Sequence, residues 1–359
     1  MSVDDLIRQW RERVLDAAAG GRALCLRGGG TKRFLGRPEQ GELLDTRGCS
    51  GIINYEPSEL VVTVRAGTPL AELEAELAAR GQMLAFEPPH FGPGATVGGC
   101  VAAGLAGPRR AAVGGVRDFI LGARLIDGRG ELLRFGGEVM KNVAGYDVSR
   151  VLAGSFGTLG LIVDLSLKVL PKPVAEASLR FEMDEATALH QLNVWSGQPL
   201  PISASAWQDG ILALRLSGAG AAVDAATARL GGERIPDAVA EARWHGLREQ
   251  TEDFFTAARL PGPLWRLSVP SDALAIELGG AQLVEWGGAQ RWLRSDLPPG
   301  EIRARVAALG GHASLFRNGP RDGAVFHPLT APMLALQRKL KNAFDPAGVF
   351  NPGRLYEGL

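Results

Sequence analysis

The chain has 359 residues, enough for two domains that each bury a core of their own. Its 39 basic and 39 acidic residues cancel, which removes the electrostatic case for a nucleic-acid or anionic-membrane surface and leaves small molecules or protein partners. Three scattered cysteines, Cys25, Cys49 and Cys100, spell neither a disulfide framework nor a metal cluster and suit a reducing cytosol.

At the N-terminus Leu6, Trp10, Val14 and Ala17 recur at helical spacing before Gly20-Gly21, predicting an amphipathic helix. The basic-then-apolar order of a secretory signal is missing, and no apolar run reaches the ~18 residues of a spanning helix. "RALCLR" predicts a strand running into the glycine loop "GGGTK", and "ELVVTVRAG" predicts a second strand. In "TPLAELEAELAARGQ" the expected helix has Thr68 as N-cap, Pro69 at its first position, Leu70, Leu73 and Leu77 on one face and Gly81 at its end. The next stretch, "EPPHFGPGATVGGCVAAGLAGP", is apolar yet nearly free of side chains, which suits backbone lying against a flat buried ligand. "FILGARLIDGRGELLRFGG" predicts a hairpin turning at "DGRG". A short helix, a glycine turn and a strand from Leu159 to Leu170 follow, stopped by Pro171 and Pro173. These elements predict a first domain over residues 1–173.

From Ala175 onward the strands "ASLRFEM", "ILALRLSG" and "LWRLSV" alternate with helices such as "AVAEARWHGLREQTEDFFTAAR". That pattern predicts an α+β domain with a mostly antiparallel sheet over residues 174–327, its core carrying Trp244, Trp265, Trp286 and Trp292. Residues 328–359 begin with a helix opened by Pro332, whose apolar face is Met333, Leu336, Leu340 and Phe344. "DPAGVFNPG" must then be non-helical.

The loop "RGGGTKRFLGR" fails as a P-loop, which needs four residues between its first glycine and Gly-Lys-Ser/Thr. It fails as a Rossmann fingerprint too, because no Gly-x-Gly-x-x-Gly leads into a helix. From the residues alone it is either a plain turn or an anion-binding concavity built from the N–H groups of residues 28–32, with Thr31 and Lys32 as further donors.

"RGGGT", "PGATVGGCVAAGLAG", "GGVRDFILGARLIDGRGELLRFGG", "KNVAGYDVSRVLAGSFGTLGLIVDLSLKVLP" and "FDPAGVFNPG" stand in an order that resembles the FAD-binding oxidoreductases of the vanillyl-alcohol oxidase and p-cresol methylhydroxylase type. Within that family "EPPHFGPGAT", "WHGLREQ" and "LWRLSVPS" resemble the FAD-binding subunits of bacterial glycolate dehydrogenases. The resemblance implies a two-subdomain FAD-binding domain followed by an α+β cap with a mostly antiparallel sheet. It places Gly28, Gly29, Gly30, Thr31 and Lys32 on the FAD pyrophosphate, and Pro93, Gly94, Thr96, Gly98 and Gly99 beside it and the flavin. Gly104 allows close passage, and Gly157, Gly160 and Ile162 lie at the adenine end. Non-covalent FAD is implied, because Thr31 stands where covalent members have histidine. The activity implied is hydride transfer from glycolate or a related 2-hydroxy acid. It would operate in the cytoplasm, or on the inner membrane through a second FAD-binding catalytic subunit and an iron–sulfur subunit. A self-sufficient D-lactate-type dehydrogenase and a non-catalytic assembly subunit are the alternatives.

Candidates for the chemistry are few. Lys141 is placed to stabilise negative charge on a reduced flavin, against a solvated surface charge as the plain reading; Tyr146 shares its segment, against a packing role. Asn351, between Phe350 and Pro352, resembles the family's asparagine that returns to the flavin. A histidine is the natural base for a substrate hydroxyl, and His90 is nearest to the flavin segment in sequence. Arg266 and Arg317 are the candidate clamps for a carboxylate. No two histidines stand at metal-ligand spacing, and no metal is expected.

Overall fold

The computed structural model describes residues 2–137, 147–256 and 262–359. Helix α1 (Val3–Ala19) starts at a capping box between Ser2 and Asp5 and buries Leu6, Ile7, Trp10, Val14 and Ala17. Two short strands, β1 (Leu24–Arg27) and β2 (Glu42–Asp45), pair in parallel. They are followed by β3 (Ile52–Glu56) and β4 (Val61–Arg65).

Helix α2 (Leu70–Ala79) buries Leu70, Leu73 and Leu77 as their spacing requires, but its N-cap is Pro69 and it has no side-chain cap. The Thr68 hydroxyl instead accepts the Gly51 N–H at 2.9 Å, so it ties two loops together. After β5 (Gln82–Met83), residues 97–103 form a helix, α3 (Val97–Ala103), where the sequence suggested only irregular backbone. Thr96 caps it and left-handed Gly104 ends it, the two signals that bound a helix of any composition.

The short helices α4 (Arg110–Val113) and α5 (Val116–Phe119) lead into the expected hairpin, β6 (Ile120–Ile126) and β7 (Leu132–Gly136). A 3-10 turn at Ser149–Leu152 stands in place of the expected short helix, and the long strand divides into β8 (Leu161–Lys168) and β9 (Leu170–Pro171). The antiparallel sheet runs β3-β4-β8-β6-β7. Strand β8 is buried on both faces: Leu165 and Leu167 meet α2 and α3, while Leu161 and Val163 meet α1.

The remaining strands form one antiparallel sheet, here termed the cap. In chain order its elements are β10 (Ala175–Glu182), α6 (Glu185–Ser196), β11 (Ile202–Gln208), β12 (Ile211–Gly218), α7 (Gly220–Leu230), β13 (Glu233–Ile235), α8 (Asp237–Glu249), β14 (Leu264–Ser268), β15 (Ala281–Glu285), β16 (Gln290–Arg294), α9 (Pro299–Ala308) and β17 (His312–Arg317). The sheet order is β13-β10-β12-β11-β15-β16-β14-β17. One face packs on α6, α7 and α9 through Leu192, Val223 and Ile302. The other packs on Trp244 and Leu247 of α8 and on Leu35, Ala103 and Leu105 of the N-terminal part, so the two parts share a core.

An ion network built on two buried arginines, Arg109 and Arg215, stitches the same seam and reaches the surface at Glu176. Arg109 bonds Glu87 (3.4 Å) and Glu176 (2.5 Å), and Arg215 reaches across from the cap to Glu87 at 2.8 Å. Each charge there is paired, which is the condition for tolerating it in the interior.

Helix α10 (Ala331–Phe344) leaves Met333 and Leu336 exposed, and only Leu340 and Phe344 of its apolar face pack on the N-terminal core. The chain then runs alongside β1: Leu24 N–H donates to the Val349 carbonyl at 2.7 Å, and Asn351 N–H donates to the Leu24 carbonyl at 3.0 Å.

Candidate functional site

Strand β1 delivers the glycine loop to the centre of the N-terminal part. Among the described residues, the N–H groups of Gly28, Gly29, Gly30, Thr31 and Lys32 have no hydrogen-bond partner, five donors in a row. Backbone N–H groups are rarely left unpaired, and a run of them forms a concavity for an anion. The wall around them carries Arg27, Lys32, Arg33 and Arg354 against one carboxylate, Glu39. Arg27 and Arg33 pair with Glu39 at 2.7 and 2.9 Å. Burial, followed by neighbouring Arg321, pushes Arg354 down to about 10, and its guanidinium bonds the carbonyls of Arg37 and Arg33.

A second loop, residues 92–96, closes over the first. It is fixed by Leu70 N–H on the Ala95 carbonyl (2.8 Å), Val97 N–H on the Thr68 carbonyl (3.0 Å) and Gly98 N–H on the Ala66 carbonyl (2.7 Å). A Cβ at Gly29 would fall inside the Gly94 carbonyl, and one at Gly98 would lie 2.7 Å from the Ala66 Cβ. Glycine at these two positions is a condition of the loops meeting.

The cleft between the loops comprises two cavities of about 90 and 70 Å³ that share Leu26, Arg27, Gly28, Gly99, Ala102, Phe156 and Asn351. The second ends at Thr46, Ala66, Gly157, Gly160 and Ile162, where β8 slips register against β6. Thr31 joins the cleft to a cavity of about 830 Å³ roofed by the cap and lined by Phe34, His90, Phe91, Gly92, Pro93, His245, Arg248, Glu249, Gln250, Thr251, Arg317 and Asn318.

The C-terminal end of α8 holds that cavity together. The Glu249 carboxylate accepts the N–H groups of His90 (3.1 Å) and Phe91 (2.8 Å), and those bonds bring it below the usual carboxylate range although burial works against them. The His90 imidazole meets Glu74 at 2.9 Å through Nε2, and Arg248 pairs with Glu249 (2.9 Å) and approaches Glu74 (3.6 Å). Lys32 donates to the His90 carbonyl at 3.2 Å, and burial holds its ammonium below the usual lysine range.

Arg317 lies over the rings of Phe34 (4.1 Å) and Phe91 (4.6 Å), with its Nε buried and unpartnered. Burial in this cage, with Arg294 nearby, pushes it down to about 10, and among the described residues no carboxylate pairs with it. Of the nine non-glycine residues at positive φ among the described residues, Phe91, Gln250 and Asn318 line this cavity and Phe156 and Asn351 line the cleft. Strained backbone of this kind concentrates at working sites.

The structure gathers most of the residues singled out in the sequence. Gly28, Gly29, Gly30, Thr31, Lys32, Thr96 and Gly99 line the first cleft cavity, and Gly98, Gly157, Gly160 and Ile162 the second. Pro93 and His90 line the large cavity, and Gly94 presses on Gly29. Gly104 is elsewhere: it ends α3 and packs against Gly154, where a Cβ would come within 2.8 Å of its nitrogen.

Arg266 is half-buried on the cap sheet, donating to Gln290 at 2.7 Å over the Trp286 ring, and lines neither cleft nor cavity. The Asn351 amide is spent on the backbone, accepting from Leu26 N–H (2.8 Å) and donating to the Phe156 carbonyl (2.6 Å), so it braces the cleft wall. Lys141 and Tyr146 fall outside the described residues. Glu74 was not singled out in the sequence, and Glu249 and Gln250 only as the close of "WHGLREQ" with no role, since a charged or amide residue on or just past an amphipathic helix carries no mark of what it faces. Among the described residues no cluster of three or more His, Cys, Asp or Glu side chains could hold a metal, and no helix is long and apolar enough to cross a membrane.

A family described as "FAD binding domain" matches residues 6–136. The glycolate oxidase subunit GlcE of Escherichia coli (strain K12) is 51% identical over 348 residues, which is 97% of this chain and 97% of that protein. The chain belongs to the GlcE family. Other relatives of this GlcE-family chain match over less of its length. A D-lactate dehydrogenase of Anaerostipes hadrus is 33% identical over 39% of this chain and 29% of its own, and the glycolate oxidase subunit GlcD of Bacillus subtilis (strain 168) is 30% identical over 43% and 33%. The solved structure of an alkyldihydroxyacetonephosphate synthase has the same fold, with a TM-score of 0.65 at 14% identity, over 96% of this chain and 75% of that one.

The donor set fits the cofactor that the family description names. A diphosphate needs many donors and positive charge, and the glycine loop offers five unpaired N–H groups beside four cations.

Proposed function

We propose that this chain is the FAD-binding subunit of an assembly that oxidises glycolate to glyoxylate and passes the electrons to an iron–sulfur partner. The observation that carries this reading is the row of five unpaired N–H groups at residues 28–32, opening towards a cavity of about 830 Å³. Gly28, Gly29, Gly30 and Thr31 hold the pyrophosphate by backbone donation, and Gly157, Gly160 and Ile162 border the adenosine. The attachment is non-covalent, since Thr31 offers a hydroxyl where covalent relatives carry an imidazole. When bound, FAD supplies the two-electron acceptor.

The chain's own residues do the rest. Arg317, flat against two phenylalanines and lacking an acid partner, takes the substrate carboxylate in its two-pronged grip. His90, oriented by Glu74 at 2.9 Å, receives the hydroxyl proton at its imidazole. Phe34 and Phe91 give Arg317 the apolar bed on which it lies. The 51% identity to a glycolate oxidase subunit supports glycolate as substrate, and the partial likeness to GlcD supports a second FAD-binding subunit built on a related domain.

The test is the visible spectrum of the chain purified alone and with its partner subunits. The expected result is flavin absorption from the chain, bleached by glycolate in the assembly. A chain that stays colourless after incubation with FAD overturns the reading.

A further inference from the structure

Strand register sets four polar side chains side by side on the inner face of the cap sheet. Where β14 pairs with β17, Arg266 stands opposite Ser314 and Ser268 stands opposite His312. Residues opposite one another in an antiparallel pair, and residues two apart on one strand, share a face, so the four make a patch of about 5 by 7 Å. The same face turns apolar at Trp292, opposite Arg266 on β16, where it joins the core shared with the N-terminal part.

The hydrogen-bonding groups of this patch are largely unspent. Arg266 commits only its Nε, to Gln290 at 2.7 Å. Its two terminal nitrogens and the hydroxyls of Ser268 and Ser314 have no partner, yet all of them keep surface open to solvent. His312 is exposed beside them. Charge is unmatched as well. Arg110 lies 4.6 Å and Arg266 5.2 Å from the Trp286 ring, and among the described residues no carboxylate pairs with either. Burial, and then the like charge of Arg110, push Arg266 down to about 10; Glu285 counters them, but burial pushes its own carboxyl up to about 7. Two cations that repel one another beside a single, partly ionised acid favour an incoming anion.

We propose that this patch is a second carboxylate site, separate from the Arg317 cavity, and that it takes a small hydroxy acid. The pairing orders the contacts. The carboxylate lies at the Arg266 and Ser314 end, where a guanidinium fork and a hydroxyl both donate. The ligand's hydroxyl lies at the Ser268 and His312 end, where a neutral imidazole accepts its hydrogen. The assignment goes beyond the oxidation reading, which places its substrate at Arg317, and concerns binding alone.

The experiment follows the imidazole resonances of the FAD-loaded chain, labelled with 15N-histidine, by NMR at pH 8 and constant ionic strength. The probe is 2-hydroxy-2-methylpropanoate, which has no hydrogen to surrender as hydride and therefore binds without turnover. His312→Gln identifies the His312 signals. These signals are expected to move and saturate, and 2-methylpropanoate, lacking the hydroxyl, should need a roughly tenfold higher concentration. Arg266→Met should abolish the response. Ser314→Ala removes one half-buried hydroxyl and should weaken it several-fold, which keeps the test open if Arg266→Met fails to fold. Arg317→Met should leave the His312 response intact.

The inference is overturned if the His312 signals do not saturate in the wild type, if the response survives both Arg266→Met and Ser314→Ala, or if Arg317→Met removes it. A saturable response at His312 in a chain whose flavin glycolate never bleaches would uphold the second site while the oxidation reading falls.

Discussion

Glu285 offers a test of how the cap interior treats charge. It ends β15 at 3% exposure and accepts hydrogen bonds from Trp292 Nε1 (2.6 Å) and Gln290 Nε2 (3.1 Å). Burial pushes its carboxyl up to about 7 from 4.5, opposed by those two bonds and by Arg266. The folded chain therefore keeps this proton to a higher pH than the unfolded chain does. Its contribution to stability is complete below about pH 4.5 and is lost as pH rises through 7.

Between pH 5 and pH 8 that loss amounts to roughly 2–3 kcal/mol. Glu285→Gln keeps an acceptor for both donors and removes the titration. Urea unfolding followed by tryptophan fluorescence should show the variant gaining roughly 2–3 kcal/mol on the wild type between pH 5 and pH 8. A difference between the two proteins that is the same at both pH values would refute the argument.

Gly29→Ala should part the two glycine loops, because the new methyl occupies the Gly94 carbonyl; the purified variant should lose its absorbance near 450 nm, and full flavin retention would contradict the cleft assignment. Asn351→Ala strips the Leu26 N–H and the Phe156 carbonyl of their partner, at a cost of about 2–4 kcal/mol for the two groups, read as a lower melting temperature and faster proteolysis of the last 20 or so residues. Acid precipitation of the flavin-loaded protein should leave all the yellow colour in the supernatant, and flavin pelleting with the protein would reveal a covalent link.

Much of this was legible in the residues. Leu6, Trp10, Val14 and Ala17 named the buried face of α1, and Leu70, Leu73 and Leu77 that of α2, because helical periodicity against a core is a local signal. The glycine loops were legible because glycine is conspicuous where backbones must touch. Helix α10 was only half readable, since Met333 and Leu336 keep helical spacing yet stay exposed.

The site's polar shell was harder. Arg266 and Arg317 look alike in sequence, yet one lies half-buried over Trp286 and the other is caged at the cavity, a difference set by strand register. His90 was visible beside the flavin segment, but its partner Glu74 lies 16 positions upstream on α2 and Glu249 lies 159 downstream on α8, separations no local pattern encodes.

Residues 349–351 lie against β1, at the opposite end of the chain, and Asn351 and Arg354 complete the wall around the glycine loop. A nascent polypeptide still lacking them has an open groove in place of a binding site. On the proposed reading a site for the dinucleotide is complete only once these residues have left the ribosome, and truncations that remove them are expected to forfeit it although the whole glycine loop has already been made.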